Sequence, residues 1–423
     1  MAPGTSEGEV SMGLELDLRQ VVYVLSDALD LVGVDDVAHG KRVAYMAVRM
    51  GEALGLPPSD LEELLYGGLF HDCGVSSTRE HRSLAGDLDW DGEDFHCARG
   101  ARRVATFGPL AFLEPLIRWH HTHADRLDRQ DLPDRTRRLA NLIYLADRVD
   151  VLVASHPEAD VLVSRQDIRK VVLENRGTRF REDAVQAFLH VSDPEEFWLT
   201  LEPRALGPWL GRRSRHPDAR TLSLDDLRSL GAMFAAIVDA KSPFTAEHSL
   251  GVTALAGRLA GLAGMEPERR GFIEVAGLLH DLGKLRVPDA VLDKPAGLDG
   301  AERVRITRHA FDTYQILSRI DGLEEIARWA AYHHEWVKGG GYPFGVGGAD
   351  LSVEARVVAV ADVFQALAQD RPYRERMPLS RTLEVIDRMV ALGKLDGDVA
   401  GLLHRDPEGC LEVATRPSAV PGA

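Results

Sequence analysis

The chain is short of cysteine, of aromatic residues and of positive charge. Only Cys73, Cys97 and Cys410 occur in 423 residues. Three thiols are few and odd in number, which argues against a disulfide framework. No signal-peptide pattern opens the sequence, so the expected setting is a reducing cytoplasm. Apolar runs are brief, as at Val357 to Ala361, and none suits a membrane-spanning helix. Lys plus Arg total 50 against 66 Asp plus Glu, a net charge of -16. That excludes general coating of DNA, RNA or anionic membrane, which needs a basic face. It leaves an anionic small substrate open, because a metal site can reverse the sign locally. Alternating β-branched strand patterns are also sparse.

What is present is helical periodicity. Leu250, Val252, Leu255, Leu259 and Leu262 recur at spacings of two to four, the mark of an amphipathic helix. Gly271 to Leu279 is almost wholly apolar and reads as a buried helix. At 45% hydrophobic and 27% charged, the chain can bury a sizeable core. The expected fold class is all-α. Residues 1–18 read as a disordered tail. Residues 201–222, rich in Pro, Gly and Arg, read as a linker, and the basic stretch Arg212 to Arg220 as a solvated part of it. Residues 407–423 read as a frayed tail.

Self-similarity carries the most information. His39 and His248 are 209 residues apart, as are His71-Asp72 and His280-Asp281. His96 and His309 are separated by 213, as are His120-His121 and His333-His334; Asp147 and Asp362 are separated by 215. Ten of the 16 histidines fall in this register, so chance placement is excluded. The chain is a tandem duplication, with units at 19–200 and 223–406.

Each unit has the order His, His-Asp, His, His-His, Asp. Imidazole nitrogen and carboxylate oxygen suit Fe, Mn, Zn or similar divalent ions. Seven ligands exceed what one tetrahedral ion needs and suit two, bridged by a carboxylate such as Asp281 or Asp72. Two ions a few ångström apart can hold a hydroxide and clamp a phosphate oxygen for in-line attack. Asp362 lies amid Val357, Val358, Ala359, Val360, Ala361, Val363 and Phe364, where an unpartnered carboxylate is costly. Gly283, after His280-Asp281, reads as a helix stop.

The second unit resembles the HD-GYP branch of the HD phosphohydrolase superfamily. The matching text is Lys-Ser-Pro-Phe-Thr-Ala-Glu-His-Ser (241–249), His-Asp-Leu-Gly-Lys (280–284), Leu-Asp-Lys-Pro (292–295), His-His-Glu (333–335), Gly-Gly-Gly-Tyr-Pro (339–343) and Arg-Pro-Tyr-Arg (371–374). The resemblance implies two tandem HD-type helical domains, 19–200 and 223–406. It implies that His248, His280, Asp281, His309, His333, His334 and Asp362 hold two divalent ions, Fe or Mn. Asp281 and Lys284 become the catalytic residues, with Lys284 on the scissile phosphate. Arg371 and Arg374 are assigned to the other phosphate, and Tyr342 to the bases. The implied activity is hydrolysis of cyclic di-GMP to linear pGpG and onward to GMP. Glu335 and Arg356 match as structural supports.

Departures from the family pattern are informative. Phe244 stands where some relatives carry a carboxylate that recruits a third metal, so two ions are expected; Glu247 is at the wrong spacing. Lys338 replaces an Asp before the tyrosine loop. The first unit keeps His39, His71, Asp72, His96, His120, His121 and Asp147, a candidate second metal site. It has Val75 where the second has Lys284, and it lacks both the Gly-Tyr-Pro loop and the Arg-Pro-Tyr-Arg stretch. It reads as a degenerate HD domain that regulates, dimerises or acts on something else. Cys73 and Cys97 beside its ligands read as small buried packing. Two alternatives stay open: a signalling module that binds a nucleotide or a partner with little turnover, and a hydrolase of another nucleotide. A homodimer or signalling partner stays open with them.

Overall fold

In the computed structural model, the described residues are 16–33, 38–81, 93–155, 160–213, 220–242, 247–370 and 375–417. The expected all-α class holds: among them the strands are two-residue pieces, β1 (Leu16–Asp17) and β2 (Thr221–Leu222), paired antiparallel.

The duplication is visible element by element. The first domain runs through helices Leu18–Asp30, His39–Ala53, Pro58–Phe70, Glu93–Ala105, Glu114–Trp119 and Asp134–Ala154. The second repeats the order with Leu224–Asp239, His248–Leu262, Pro267–Leu279, Gly300–Leu317, Glu324–Ala331 and Val353–Ala368. Local chemistry sets the starts. Ser223 and Asp226 form a reciprocal cap, as do Asp299 and Glu302, which satisfies end amides that lack helical partners. Pro58 and Pro267 occupy first turns, where the missing N–H costs nothing. Each domain buries the helix ending in its His-Asp pair against the helix that begins with its first histidine. Gly68 makes that contact in one domain and Gly277 in the other. An added Cβ would lie 2.5 Å from Ala44 Cα and 3.1 Å from Thr253 Cα.

Three boundary readings change. The stretch read as a linker contains helix Pro203–Gly211, with Leu206, Trp209 and Leu210 buried. Their i, i+3, i+4 spacing makes one apolar face, and Trp209 packs edge-on to Tyr45 at 4.8 Å. Pro and Gly content concealed that face. The stretch read as a frayed tail contains helix Pro407–Thr415, capped by the Asp406 side chain and seated through Cys410 and Ala414. Ala414 O comes so near the His248 helix that a Cβ on Gly251 would lie 2.4 Å away. At the other end, Leu16 and Leu18 are buried, and Asp17 caps the first helix by accepting from Arg19 N at 2.8 Å. Residues 1–15 and most of the basic stretch after Arg213 lie outside the described residues.

The domains meet along their first helices and the segments that follow the His-Asp pairs. Phe70 packs edge-on to Phe234 at 6.0 Å. Thr78 N donates to Asp289 Oδ2 at 2.9 Å. Arg319 Nη1 donates to Asp27 Oδ2 at 2.5 Å.

Candidate metal centres

In the second domain the seven residues converge from five helices. His280 and Asp281 follow the end of Pro267–Leu279; His248 begins its helix; His309 lies within Gly300–Leu317; His333 and His334 follow Glu324–Ala331; Asp362 comes from Val353–Ala368. The two oxygens of Asp281 face different sets. Oδ2 lies 3.5 Å from His248 Nε2 and 3.3 Å from His280 Nε2. Oδ1 lies 3.4 Å from His309 Nε2 and 3.9 Å from His333 Nε2. Asp362 Oδ1 completes the first set, 3.3 Å from His248 Nε2. Thus His248, His280 and Asp281 form one group of convergent donors, and His309, His333 and His334 the other.

The outer nitrogens fix the rings. Nδ1 of His280, His309 and His333 lies 2.7, 2.6 and 2.6 Å from the carbonyl three residues earlier. That bond makes Nδ1 the donor and turns the Nε2 lone pair to the centre. His248 Nδ1 meets Gln365 Oε1 at 2.5 Å. Nε2 of His248 and His280 and Oδ1 of Asp281 are buried with no hydrogen-bond partner. Buried acceptors facing one another are costly unless positive charge, a proton or a metal ion, sits among them. The donor set fits divalent ions.

Electrostatics agree. Burial alone would lower the pKa of His248, but the Asp281 and Asp362 carboxylates lift it to about 9. Burial lowers His309 to about 3 and His334 to about 4, keeping them neutral and able to donate lone pairs. Asp281 and Asp362 are held well below the usual carboxylate range; burial opposes this, and surrounding imidazoles, with Lys284 for Asp281, override it.

Of the residues expected at the substrate, Lys284 Nζ contacts Asp281 Oδ2, and the Tyr342 ring lies 4.7 Å from His334. The tyrosine loop needs its glycines. Gly339 and Gly340 have φ of 82° and 88°, where side chains are strained. A Cβ on Gly341 would lie 2.5 Å from His334 O. Glu335 accepts from the amides of Phe344 and Gly345, and Arg356 binds Leu351 O, Gly348 O and Asp396, so both brace the loop. Arg371, Arg374 and Phe244 lie outside the described residues.

The first domain builds the same constellation. Asp72 Oδ2 lies 3.5 Å from His71 Nε2 and 3.8 Å from His39 Nε2. Its Oδ1 lies 3.7 Å from His96 and 3.9 Å from His120. Asp147 Oδ1 faces His39 at 3.4 Å, and its Oδ2 faces His121 at 3.7 Å. Cys97 Sγ packs 3.7 Å from His96 Nε2, and burial pushes the Cys73 thiol up to about 12. Val75 is buried where Lys284 stands in the other domain.

Four supports escaped sequence reasoning. Arg148, fully buried, forks onto Asp147 Oδ2 at 3.0 and 2.7 Å. Asp150, held by Arg42, meets His39 Nδ1 at 2.7 Å, in the register position of Gln365. Asp30 and Asp239 brace the two histidine-initial helices. The residues before these helices, Ala38 and Glu247, make no capping bond. Asp30 instead accepts from Ala38 N and Gly40 N at 3.0 and 3.2 Å, and Asp239 from Ser249 N and Oγ at 3.1 and 2.9 Å. The pair sits 209 apart, so the repeat register itself was the available signal. Gly283 has a different reason from the one expected. Its φ is unremarkable; a Cβ there would lie 2.1 Å from His309 O, and on Gly74 1.9 Å from His96 O. Both glycines let a ligand-bearing helix approach.

Comparison with known proteins agrees with this picture. The HD domain family matches residues 37–152, and an HD domain family matches again at 232–399. The chain is 35% identical over 410 residues to the 3'3'-cGAMP-specific phosphodiesterase 1 of Vibrio cholerae, covering 96% of this chain and 95% of that protein. It is 41% identical over 131 residues to the cyclic di-GMP phosphodiesterase response regulator RpfG of Xanthomonas campestris, covering 30% of this chain and 35% of that protein. The fold matches the crystal structure of a cyclic GMP-AMP-specific phosphodiesterase of V. cholerae (V-cGAP3), with TM-score 0.64 and 23% identity over 96% of this chain and 99% of that one. Among the described residues no helix is long and apolar enough to cross a membrane. The chain therefore belongs to the HD-GYP family of HD-domain phosphohydrolases, as a tandem of two HD domains whose first copy lacks the Gly-Tyr-Pro loop.

Proposed function

We propose that the second HD domain is a metal-dependent phosphodiesterase for a 3',3'-cyclic dinucleotide, with the mixed guanine-adenine molecule preferred over cyclic di-GMP. The observation that carries the hydrolase reading is Asp281. One carboxylate presents its two oxygens to two imidazole sets, with Lys284 on one side and the Tyr342 ring tilted against His334. Divalent ions held by the seven ligands would supply Lewis acidity and lower the pKa of an attacking water. Lys284, at the rim of that carboxylate, is placed to take charge building on a phosphate oxygen as a compact cation. Tyr342 and the braced loop bound the space where a base would stack. The substrate preference differs from the cyclic di-GMP expected from sequence. It rests on the relative that spans both domains, which is named for 3'3'-cGAMP; the relative named for cyclic di-GMP aligns with 30% of the chain.

The test is side-by-side turnover of 3'3'-cGAMP and cyclic di-GMP by the full chain with Mn²⁺ or anaerobic Fe²⁺, resolving linear dinucleotide from mononucleotide. Faster opening of 3'3'-cGAMP, abolished by Asp281→Ala, supports the reading. Faster cyclic di-GMP hydrolysis overturns the preference. No turnover of either makes the nucleotide-binding module the better account.

A further inference from the structure

Lys241 opens the stretch that ends in His248 and Ser249, yet it belongs to neither donor set of the second centre. It is 4% exposed, and its Nζ lies 3.2 Å from Asp289 Oδ1. Burial pulls the ammonium below its ordinary value, and Asp289 opposes that pull. Losing one partner of a buried ion pair is strongly destabilising, so the pair fixes the two segments that carry it.

Those segments flank the second metal centre. Two residues before Lys241, Asp239 accepts from Ser249 N and Oγ at 3.1 and 2.9 Å, which binds the Lys241 turn to the start of the His248 helix. On the other side, Asp289 begins the short helix Asp289–Leu292, soon after the segment Leu282–Arg286 that carries Lys284. The pair ties the approach to His248 to the exit from Lys284.

The other contacts of Asp289 come from the first domain. Thr78 N donates to Oδ2 at 2.9 Å, and Thr78 Oγ1 to Oδ1 at 3.4 Å. Ser77 caps the turn that Thr78 opens, accepting from Glu80 N at 3.0 Å. A first-turn amide has no helical acceptor, and the Thr78 amide finds its acceptor in the other domain. Arg103, 9% exposed on the His96 helix, crosses the same boundary. Its Nη1 donates to Cys73 O at 2.8 Å and its Nη2 to Ala236 O at 3.2 Å, in the last turn of helix Leu224–Asp239. The first domain grips both ends of the link: the helix that leads to Lys241 and the carboxylate that holds it.

We propose that the first domain positions the metal centre of the second through this link, with Thr78, Asp289 and Lys241 as positioning residues that set the His248 helix against the Lys284 segment. The role rests on the phosphodiesterase reading and needs none of the first domain's own metal ligands.

Two readouts test it on the full chain. One is turnover with Mn²⁺ of whichever of 3'3'-cGAMP and cyclic di-GMP is opened faster. The other is Mn²⁺ affinity of the second centre, titrated in an Asp72→Asn background, which needs no turnover. Asp289→Asn and Lys241→Met should each lower kcat by about tenfold with KM unchanged, within the cost of ångström-scale misplacement, and weaken Mn²⁺ binding. Thr78→Pro removes the amide donor at a first-turn position that accepts proline. It should lower kcat by about threefold or more, the scale of one hydrogen bond, and add nothing in the Asp289→Asn background. Thr78→Ser keeps both donors and should match wild type. Combining Lys241→Met with Asp289→Asn leaves no lone buried charge, so the double variant gives the same readouts where a single variant fails to fold. Wild-type kcat together with wild-type Mn²⁺ affinity in Asp289→Asn overturns the proposal, as does a Thr78→Pro loss of equal size in the Asp289→Asn background. If the wild-type chain opens neither nucleotide, the phosphodiesterase reading falls separately; weakened Mn²⁺ binding in Asp289→Asn then still sustains the positioning role, and unchanged affinity overturns it.

Discussion

The two domains share a ligand set and differ in what surrounds it. In both, one aspartate divides its oxygens between two histidine groups, and a glycine two residues later admits the helix bearing the third histidine. Outside that set they diverge. The second has Lys284 against its bridging carboxylate and a glycine-built loop carrying Tyr342 onto His334. The first has buried Val75, and the Arg148 guanidinium occupies one oxygen of Asp147. The donor geometry is thus a property of the helical scaffold, and the two copies part company at a few residues of the rim.

The sharpest way to break this comparison is to remove each bridge. Asp281→Ala should cut cyclic dinucleotide turnover by on the order of a thousandfold, as loss of a centre that stabilises developing charge does. Asp72→Ala should leave kcat within a few-fold. Elemental analysis should find each variant short of the ions of its own domain only. A comparable loss of turnover in Asp72→Ala would show that the first domain takes part in the chemistry.

Lys284 comes next. Lys284→Ala should lower kcat by about a hundredfold while metal content stays at the wild-type value. Loss of metal instead would make Lys284 a support for Asp281 and not a substrate contact. The glycines test the shared scaffold. Gly283→Ala and Gly74→Ala should each destabilise by about 1–3 kcal/mol, the scale of core overpacking, read as a shifted denaturant midpoint. Equal costs would sustain the equivalence of the two sites; a tolerated Gly74→Ala would show a looser first domain.

The smallest effect concerns Asp30 and Asp239. Burial pushes each up to about 6. A carboxyl whose folded pKa is raised favours folding most below its unfolded value near 4, and that contribution is lost as pH rises through 6. Two pH units bound it at about 3 kcal/mol per site, less with screening. Asp239→Asn and Asp30→Asn should therefore flatten the fall in thermal midpoint between pH 4 and 6 in chelator-treated protein. An unchanged slope in either would show that its carboxylate stays ionised.

The ligand order was legible because a repeat is visible without knowing the fold. His39 and His248 announce each other by register, and Asp362 by its apolar company. The supports were harder. Asp30 and Asp239 share the register yet look like ordinary helix-end acids; only tertiary contact shows them replacing absent caps. Nothing in the sequence singles out Arg148, because the residue it pairs with is its own neighbour. Helix Pro203–Gly211 was missed because Pro and Gly frequency outweighed the spacing of Leu206, Trp209 and Leu210.

The pairing of β1 with β2 has one more consequence. Leu16 lies opposite Leu222 and Asp17 opposite Thr221, with Leu18 N donating to Arg220 O at 3.0 Å. Two backbone stretches from opposite ends of the first domain are clasped, so the polypeptide up to this point is topologically a ring. A single protease cut between Arg213 and Arg220 would open the chain without freeing the halves. The nicked protein should migrate as one particle under native conditions and as two fragments once denatured.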